Sequence, residues 1–323
     1  MQTPKFWDKK DSKLGKILAP FGAVYAWTVA HRLAHKHPYQ AKMPVICVGN
    51  ISVGGTGKTP VCLALMKLFQ EHEQNPWFLN HGYRAIQQSV LVDRKTHSAL
   101  DVGDEALLLS EIAPTIVDSA RARGAQLAEK WGAPLLIMDD GFQNPSLVKT
   151  FSFIVVDGTK GFGNERVLPA GPLREPILKG LKRADALILV GQDNWGVQNY
   201  LKQNKVDLPV LTGKFIPEKS DLDKLKGKNV YAFAGLGNPQ KFFDMLSSEG
   251  VQIVQKQFFP DHYFYTRFDI EDLKKKAKGA ILATTSKDWV KIPSEIQEGL
   301  VQIRGHFEFS SPDEVWNLLK EIL

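Results

Sequence analysis

The run Ser52-Val53-Gly54-Gly55-Thr56-Gly57-Lys58-Thr59 leaves this chain few folds to choose from. A β-type stretch at 44–48 closes on Gly49-Asn50 just before it. A helical pattern with apolar Val61, Leu63, Leu65, Met66, Leu68 and Phe69 starts just after it. Strand, glycine loop and helix, in that order, are the setting in which such a run binds phosphate. Glycines let backbone N–H groups converge on phosphate oxygens, and the helix N-terminus favours the anion. Lys58 is then placed to reach the β- and γ-phosphates of ATP, and the Thr59 hydroxyl to ligate Mg²⁺. The common pattern has glycine at the first position, where this chain has Ser52. The rival reading, a glycine-rich turn with a chance Lys-Thr, has both flanks against it.

Short apolar runs alternate with helical patterns from there on. Strands are predicted at 44–48, 77–79, 115–117, 135–138, 151–156 and 186–190, and helices at 58–71, 105–112, 121–131 and 176–183. Buried-type runs separated by helices predict an α/β fold of the P-loop NTPase type. Its sheet is mostly parallel, with helices on both faces. A Lys- and Asp-rich stretch at 214–228 precedes further strands at 230–234, 252–258, 280–284 and 302–307 and a closing helix at 312–322. The expected organisation is an N-terminal segment (1–42) attached to a phosphate-loop domain (43–213), followed by a smaller C-terminal α/β domain (214–323).

The net charge of +6 suggests nucleic acid until it is located. Residues 1–42 carry eight Lys and Arg against Asp8 and Asp11, and the rest of the chain balances at 33 basic to 33 acidic residues. No basic face with interleaved aromatics remains, which excludes nucleic acid as a partner. Cys47 and Cys62 offer neither a disulfide framework nor metal-ligand spacing, as expected in a reducing cytosol.

The basic excess surrounds an apolar stretch at 17–30, with Lys13 and Lys16 before it and His31, Arg32, His35 and Lys36 after it. Fourteen helical residues span about 21 Å, short of the roughly 30 Å hydrocarbon core. Pro20 sits where a helix begins or bends. The stretch reads as a membrane-interface helix, with Tyr25 and Trp27 at headgroup depth and cations toward anionic lipid. A buried first helix with a solvated flank is the alternative.

Among the acidic residues, Asp139 and Asp140 follow the apolar run 135–138. In parallel sheets ligands bind at that strand end, and a carboxylate there holds Mg²⁺, although Asp-Asp-Gly is also a good turn. Gly103-Asp104-Glu105 opens a helix, so by itself it is either an N-cap or a pair of catalytic carboxylates. Asp261-His262 is likewise either a solvated loop pair or part of a site.

Taken in order, these pieces resemble the tetraacyldisaccharide 4′-kinase family, the lipid A kinases. The matching text is Phe6-Trp7, Leu18-Ala19-Pro20, residues 44–60, Gly103-Asp104-Glu105-Ala106 and Asp139-Asp140-Gly141-Phe142-Gln143. It continues in residues 168–175 and 232–239, in Pro260-Asp261-His262, and in Thr284-Thr285 with Lys287-Asp288. The resemblance implies transfer of the ATP γ-phosphoryl group to the 4′-hydroxyl of a tetraacylated glucosamine disaccharide 1-phosphate, forming lipid IVA. It implies that Asp104 takes the hydroxyl proton and that His262 orients or tunes it. Thr59, Asp139 and Glu175 would hold the metal, and Arg121 and Arg174 would lie near the phosphates, with Glu105, Asp140 and Gln143 as further site candidates. Three positions depart from the family pattern: His81 for Arg, Asn144 for His and Ser286 for Glu.

An acceptor with some fifty methylenes, at roughly 0.8 kcal/mol each, stays in the bilayer. The enzyme is therefore expected at the cytoplasmic face of the inner membrane, peripheral or monotopic, with no obligate protein partner. Two rivals remain: another small-molecule kinase of this class, and a membrane-associated nucleotide switch. The switch carries a Lys directly before its paired glycines, where this chain has Val53.

Overall fold

The computed structural model describes residues 4–34 and 37–323; His35 and Lys36 of the expected basic flank lie outside the described residues. After a 3₁₀ turn at Lys5–Asp8 comes helix α1 (Lys13–Ala34). It starts before Pro20 and contains it, because the Ser12 hydroxyl accepts the Gly15 N–H at 3.1 Å and so caps the earlier turn. Its 22 residues are about 33 Å long. Gly15, Gly22 and Val29, seven apart, are its buried residues. A Cβ on Gly22 would meet the Val167 carbonyl oxygen at 2.8 Å, so the helix docks here backbone to backbone. On the opposite side Ile17, Phe21, Val24 and Trp27 are 67, 65, 62 and 66% exposed. No helix among the described residues is long and apolar enough to cross a membrane.

The chain then builds β1 (Val45–Gly49), α2 (Lys58–Glu71), β2 (Trp77–Asn80), β3 (Val90–Leu91), α3 (Ala99–Val102) and α4 (Asp104–Leu109). Next come β4 (Thr115–Val117), α5 (Arg121–Lys130), β5 (Leu136–Asp139), β6 (Phe151–Asp157), α6 (Ile177–Leu181), β7 (Ala186–Val190), α7 (Val197–Gln203) and β8 (Val210–Pro217). The smaller unit holds α8 (Lys219–Asp223), β9 (Asn229–Ala234), α9 (Pro239–Ser248), β10 (Gln252–Phe258), α10 (Arg267–Ala277), β11 (Ile281–Thr285), α11 (Ser286–Trp289) and β12 (Leu300–Ile303). Finally β13 (Gly305–Phe309) and α12 (Pro312–Leu319) return to the first sheet.

The large sheet runs β13-β8-β7-β6-β1-β5-β2-β4-β3 and is parallel except at its two edges. Strands β1, β5 and β6 are buried along their whole length, which is why they read as unbroken apolar runs. Alternate residues face opposite layers. Val45 and Cys47 pack toward α5, α6 and α7, while Ile46 and Val48 pack toward α2, α4 and α12. The small sheet, β10-β9-β11-β12, is parallel throughout and has its own core on each face.

Two boundaries differ from the sequence reading. The single strand expected at 302–307 is two strands in two sheets, β12 beside β11 and β13 antiparallel to β8. The C-terminal unit expected over 214–323 is therefore shorter. Strand β8 stays in the large sheet through Pro217, and everything from Gly305 onward belongs there as well. The two crossings lie side by side: Glu218 N–H donates to the Arg304 carbonyl at 2.9 Å. Buried Asp221 accepts from the Arg304 backbone N–H at 3.1 Å and from its guanidinium at 2.8 and 2.9 Å.

Candidate active site

The phosphate loop connects β1 to α2 between neighbours β5 and β6, at the C-terminal ends of the parallel strands. Gly54 and Gly57 have φ of 113° and 93°, the left-handed region that L side chains rarely adopt. A Cβ on Gly54 or Gly55 would meet no protein atom within 4 Å, so these glycines face open space. Ser52 needs no such freedom. It is extended, in an antiparallel bridge with Leu173, and the next residue, Val53, donates its N–H to the Pro172 carbonyl at 2.8 Å. Asn50 braces the loop through its amide N–H to the Thr56 hydroxyl at 3.1 Å.

Beside the loop, the Thr59 hydroxyl donates to Asp139 Oδ2 at 3.1 Å, and the Asn80 amide reaches the same oxygen at 3.4 Å. The other oxygen, Oδ1, is buried with no hydrogen-bond partner. Burial, helped by the charge of Glu105 and opposed by Lys58, raises the Asp139 carboxyl to about 7. An orphaned carboxylate oxygen next to a hydroxyl fits a hard divalent cation that takes its remaining ligands from phosphate and water. Among the described residues no cluster of three or more His, Cys, Asp or Glu forms a closed metal cage.

Asp140, at φ 51°, turns away from Asp139. It pairs with Arg174 at 3.0 Å and Lys58 at 3.5 Å. Burial alone would raise its carboxyl; the Lys58 and Arg174 charges hold it at about 2. Arg121, almost wholly buried, donates to the carbonyls of Asp139 at 2.8 Å and Asp140 at 3.1 Å and so fixes this turn. The family resemblance assigned Glu175 to the metal with Thr59 and Asp139. Its carboxylate pairs with Arg183 at 2.6 Å and accepts from the Gln143 amide at 2.9 Å, and that amide also donates to the Asn50 carbonyl at 2.8 Å, beside the phosphate loop. One guanidinium nitrogen of Arg183, Nη2, reaches both Glu175 oxygens at 2.6 Å, while Nη1 donates to the Phe142 carbonyl at 3.2 Å.

Across the cleft, Asp104 at the start of α4 meets His262 from the loop after β10. The distances from Nδ1 are 3.0 Å to Oδ2 and 3.2 Å to Oδ1. His262 has φ 57°, and left-handed backbone at a non-glycine marks a turn held by its surroundings. Asp104 Oδ1 also accepts the Glu105 N–H at 3.0 Å. Burial raises the Asp104 carboxyl, but the His262 hydrogen bond and the Lys287 and Lys291 charges outweigh it and leave it at about 2. Glu105 pairs with Lys287 at 3.0 Å. Near the phosphate loop, Gly237 of the small unit approaches so closely that its Cβ would lie 3.4 Å from the Gly55 nitrogen.

The structure thus brings Lys58, Thr59, Asp139 and Asp140 to one side and Asp104, Glu105 and His262 to the other. Sequence reasoning missed Tyr83, whose half-exposed ring lies 4.7 Å from the His262 ring, as well as the Arg183 clamp and Lys291. At the three departing positions, His81 is exposed, and desolvation of its ring together with the Arg121 charge lowers its imidazole. Asn144 closes a turn by accepting from Ser146, and Ser286 starts α11.

The chain matches the LpxK family model, tetraacyldisaccharide-1-P 4′-kinase, over residues 14–323. It is 42% identical over 325 residues to the tetraacyldisaccharide 4′-kinase of Paramagnetospirillum magneticum, covering 100% of this chain and 99% of that one. With the tetraacyldisaccharide 4′-kinase of Rhodospirillum rubrum it shares 44% identity over 299 residues, 91% of this chain and 90% of the other. The crystal structure of "apo" form LpxK from Aquifex aeolicus in complex with ATP matches with a TM-score of 0.75 at 29% identity, covering 96% of this chain and 99% of that one.

Proposed function

The chain belongs to the tetraacyldisaccharide 4′-kinase family, and from that premise we propose that it phosphorylates the 4′-hydroxyl of a tetraacylated glucosamine disaccharide 1-phosphate at the expense of ATP. The observation that supports this reading most is the Asp104–His262 pair, 3.0 Å apart, formed between the two units opposite the phosphate loop.

The roles follow from the chemistry of the groups. Backbone N–H groups of residues 52–59 and the start of α2 cradle the phosphates, with Lys58 on the β- and γ-phosphates. Mg²⁺, when bound, neutralises phosphate charge, and Thr59 with Asp139 Oδ1 are the groups that would hold it. Asp140 and Arg174 keep Lys58 in place. Asp104 receives the hydroxyl proton. A carboxylate held near 2 is a weak base, but a loose transition state releases that proton late, so its placement matters more than its basicity. His262 donates Nδ1–H to Asp104 and orients it, and the exposed Tyr83 ring beside it offers a surface to the acceptor sugar.

The exposed apolar face of α1 is the part that would lie in the membrane interface, bringing the site to an acceptor that does not leave the bilayer. On this reading the enzyme works peripherally at the cytoplasmic face of the inner membrane.

Purified protein with detergent, Mg²⁺ and ATP is expected to transfer the γ-phosphoryl group to the disaccharide 1-phosphate. Sustained ATP hydrolysis without labelled lipid would overturn the kinase reading.

A further inference from the structure

We propose that Lys291, sealed inside the smaller unit, is a positioning residue for Asp104 on the larger one. The inference rests on the reading of Asp104 as the group that receives the acceptor proton.

Lys291 and Asp288 both have fully buried side chains and pair at 2.8 Å. Asp288 is itself anchored. Its Oδ1 accepts the Gly235 N–H at 3.0 Å and the Tyr265 hydroxyl at 3.0 Å, and its Oδ2 accepts the Thr285 hydroxyl at 2.8 Å. A second donor of the Lys291 ammonium goes to the Gly235 carbonyl at 3.2 Å. An ammonium has three donors, and no third acceptor bonds this one among the described residues. The next carboxylate is Asp104, with Oδ2 at 3.9 Å.

A buried Lys–Asp pair that served only the core of the small unit would have no reason to face the cleft. Here the ammonium lies against the very oxygen of Asp104 that His262 Nδ1 contacts at 3.0 Å. Oδ2 is thus bracketed by two groups from the small unit, while Oδ1 accepts the Glu105 N–H. The charged and titratable groups around Asp104 are His262, Lys287, Lys291, Glu105, Asp288 and, 3.8 Å from the imidazole Nε2, Asp261. Both lysines have a carboxylate partner, Glu105 for Lys287 and Asp288 for Lys291; what sets Lys291 apart is that it is fully buried and its ammonium lies 3.9 Å from Asp104 Oδ2. Its charge keeps Asp104 ionised, and its rigid anchoring keeps Oδ2 in place as the acceptor hydroxyl arrives. Because it lies near the C-terminal edge of β11, it does so only when the two units are together.

The test uses the full chain in the lipid-transfer assay. The double variant Asp288→Asn with Lys291→Met replaces the buried pair by neutral groups of similar shape, and Lys291→Arg keeps the charge. The double variant is expected to melt cooperatively with little change in KM for ATP. Its kcat at pH 6 falls about tenfold or more because Oδ2 is no longer held in place, and the acid limb of the kcat profile moves upward. Lys291→Arg retains the wild-type limb. A wild-type profile in the double variant overturns the proposal. So does a double variant that fails to melt cooperatively, since Lys291 then serves the fold alone. Asp104→Asn, measured alongside, separates the two levels. Full turnover there sinks the reading of Asp104 itself. Loss of turnover there, with a wild-type double variant, removes only the role of Lys291.

Discussion

Replacing Ile17 and Phe21 on α1 by serine isolates what the exposed face contributes to membrane binding. Both side chains point away from the body, at 67 and 65% exposure, whereas the helix docks through Gly15, Gly22 and Val29. The double variant therefore keeps its fold and its melting temperature. Fully burying an aliphatic or aromatic side chain of this size contributes about 1.5–3 kcal/mol. With two-thirds of each surface available, each residue contributes roughly 1–2 kcal/mol to insertion, and the pair roughly 2–4 kcal/mol. At about 1.4 kcal/mol per tenfold, partition onto vesicles falls by roughly thirty- to several-hundred-fold. The assay is co-sedimentation with anionic vesicles at raised salt, which screens the flanking cations and leaves the apolar contribution. Turnover on detergent-dispersed acceptor serves as the control and stays at the wild-type level. Unchanged sedimentation, with a wild-type melt, would refute the interface role of this face.

Two further outcomes follow from the site. Lys58→Ala and Asp104→Ala should each lower kcat by about a hundredfold or more, read by steady-state transfer kinetics; near-normal turnover in either removes its assigned role. The Asp104 carboxyl, held at about 2 by His262 and the two lysines, is depressed below its unfolded value. Its contribution to stability is therefore present above about pH 4 and is lost as the pH falls toward 2, amounting to about 2 kcal/mol. The stability gap between wild type and Asp104→Asn should shrink by about 1 kcal/mol, roughly half of that amount, between pH 6 and pH 3 in denaturant titrations, and an unchanged gap would contradict it.

What the sequence made legible was local. The phosphate loop announces itself because strand, turn and helix are consecutive, and Asp139 follows from the apolar run that delivers it. The substitution at Ser52 looked like a defect in the motif, yet it falls at a bridge position where glycine has no advantage. Tertiary pairings were not legible in the same way. Asp104 and His262 lie 158 residues apart, and each is an ordinary cap or loop residue until the fold joins them; only the family resemblance put them together. Glu175 shows the converse, since nothing near it in the sequence reveals that Arg183 claims its carboxylate. The strand at 302–307 was misread for a geometric reason. Val301, Ile303, Phe307 and Phe309 alternate without a break in parity, so a period of two carries no mark where the chain leaves one sheet for the other at Arg304.

That change of sheet has a consequence for how the catalytic pair comes into being. Two stretches of chain join the units, hydrogen-bonded to each other and pinned by Asp221 on Arg304. Asp104 belongs to the larger unit and His262 to the smaller, so neither unit carries the pair by itself. The phosphate loop, by contrast, is built wholly from the larger unit, and nucleotide binding and acceptor activation are therefore assembled separately in one chain.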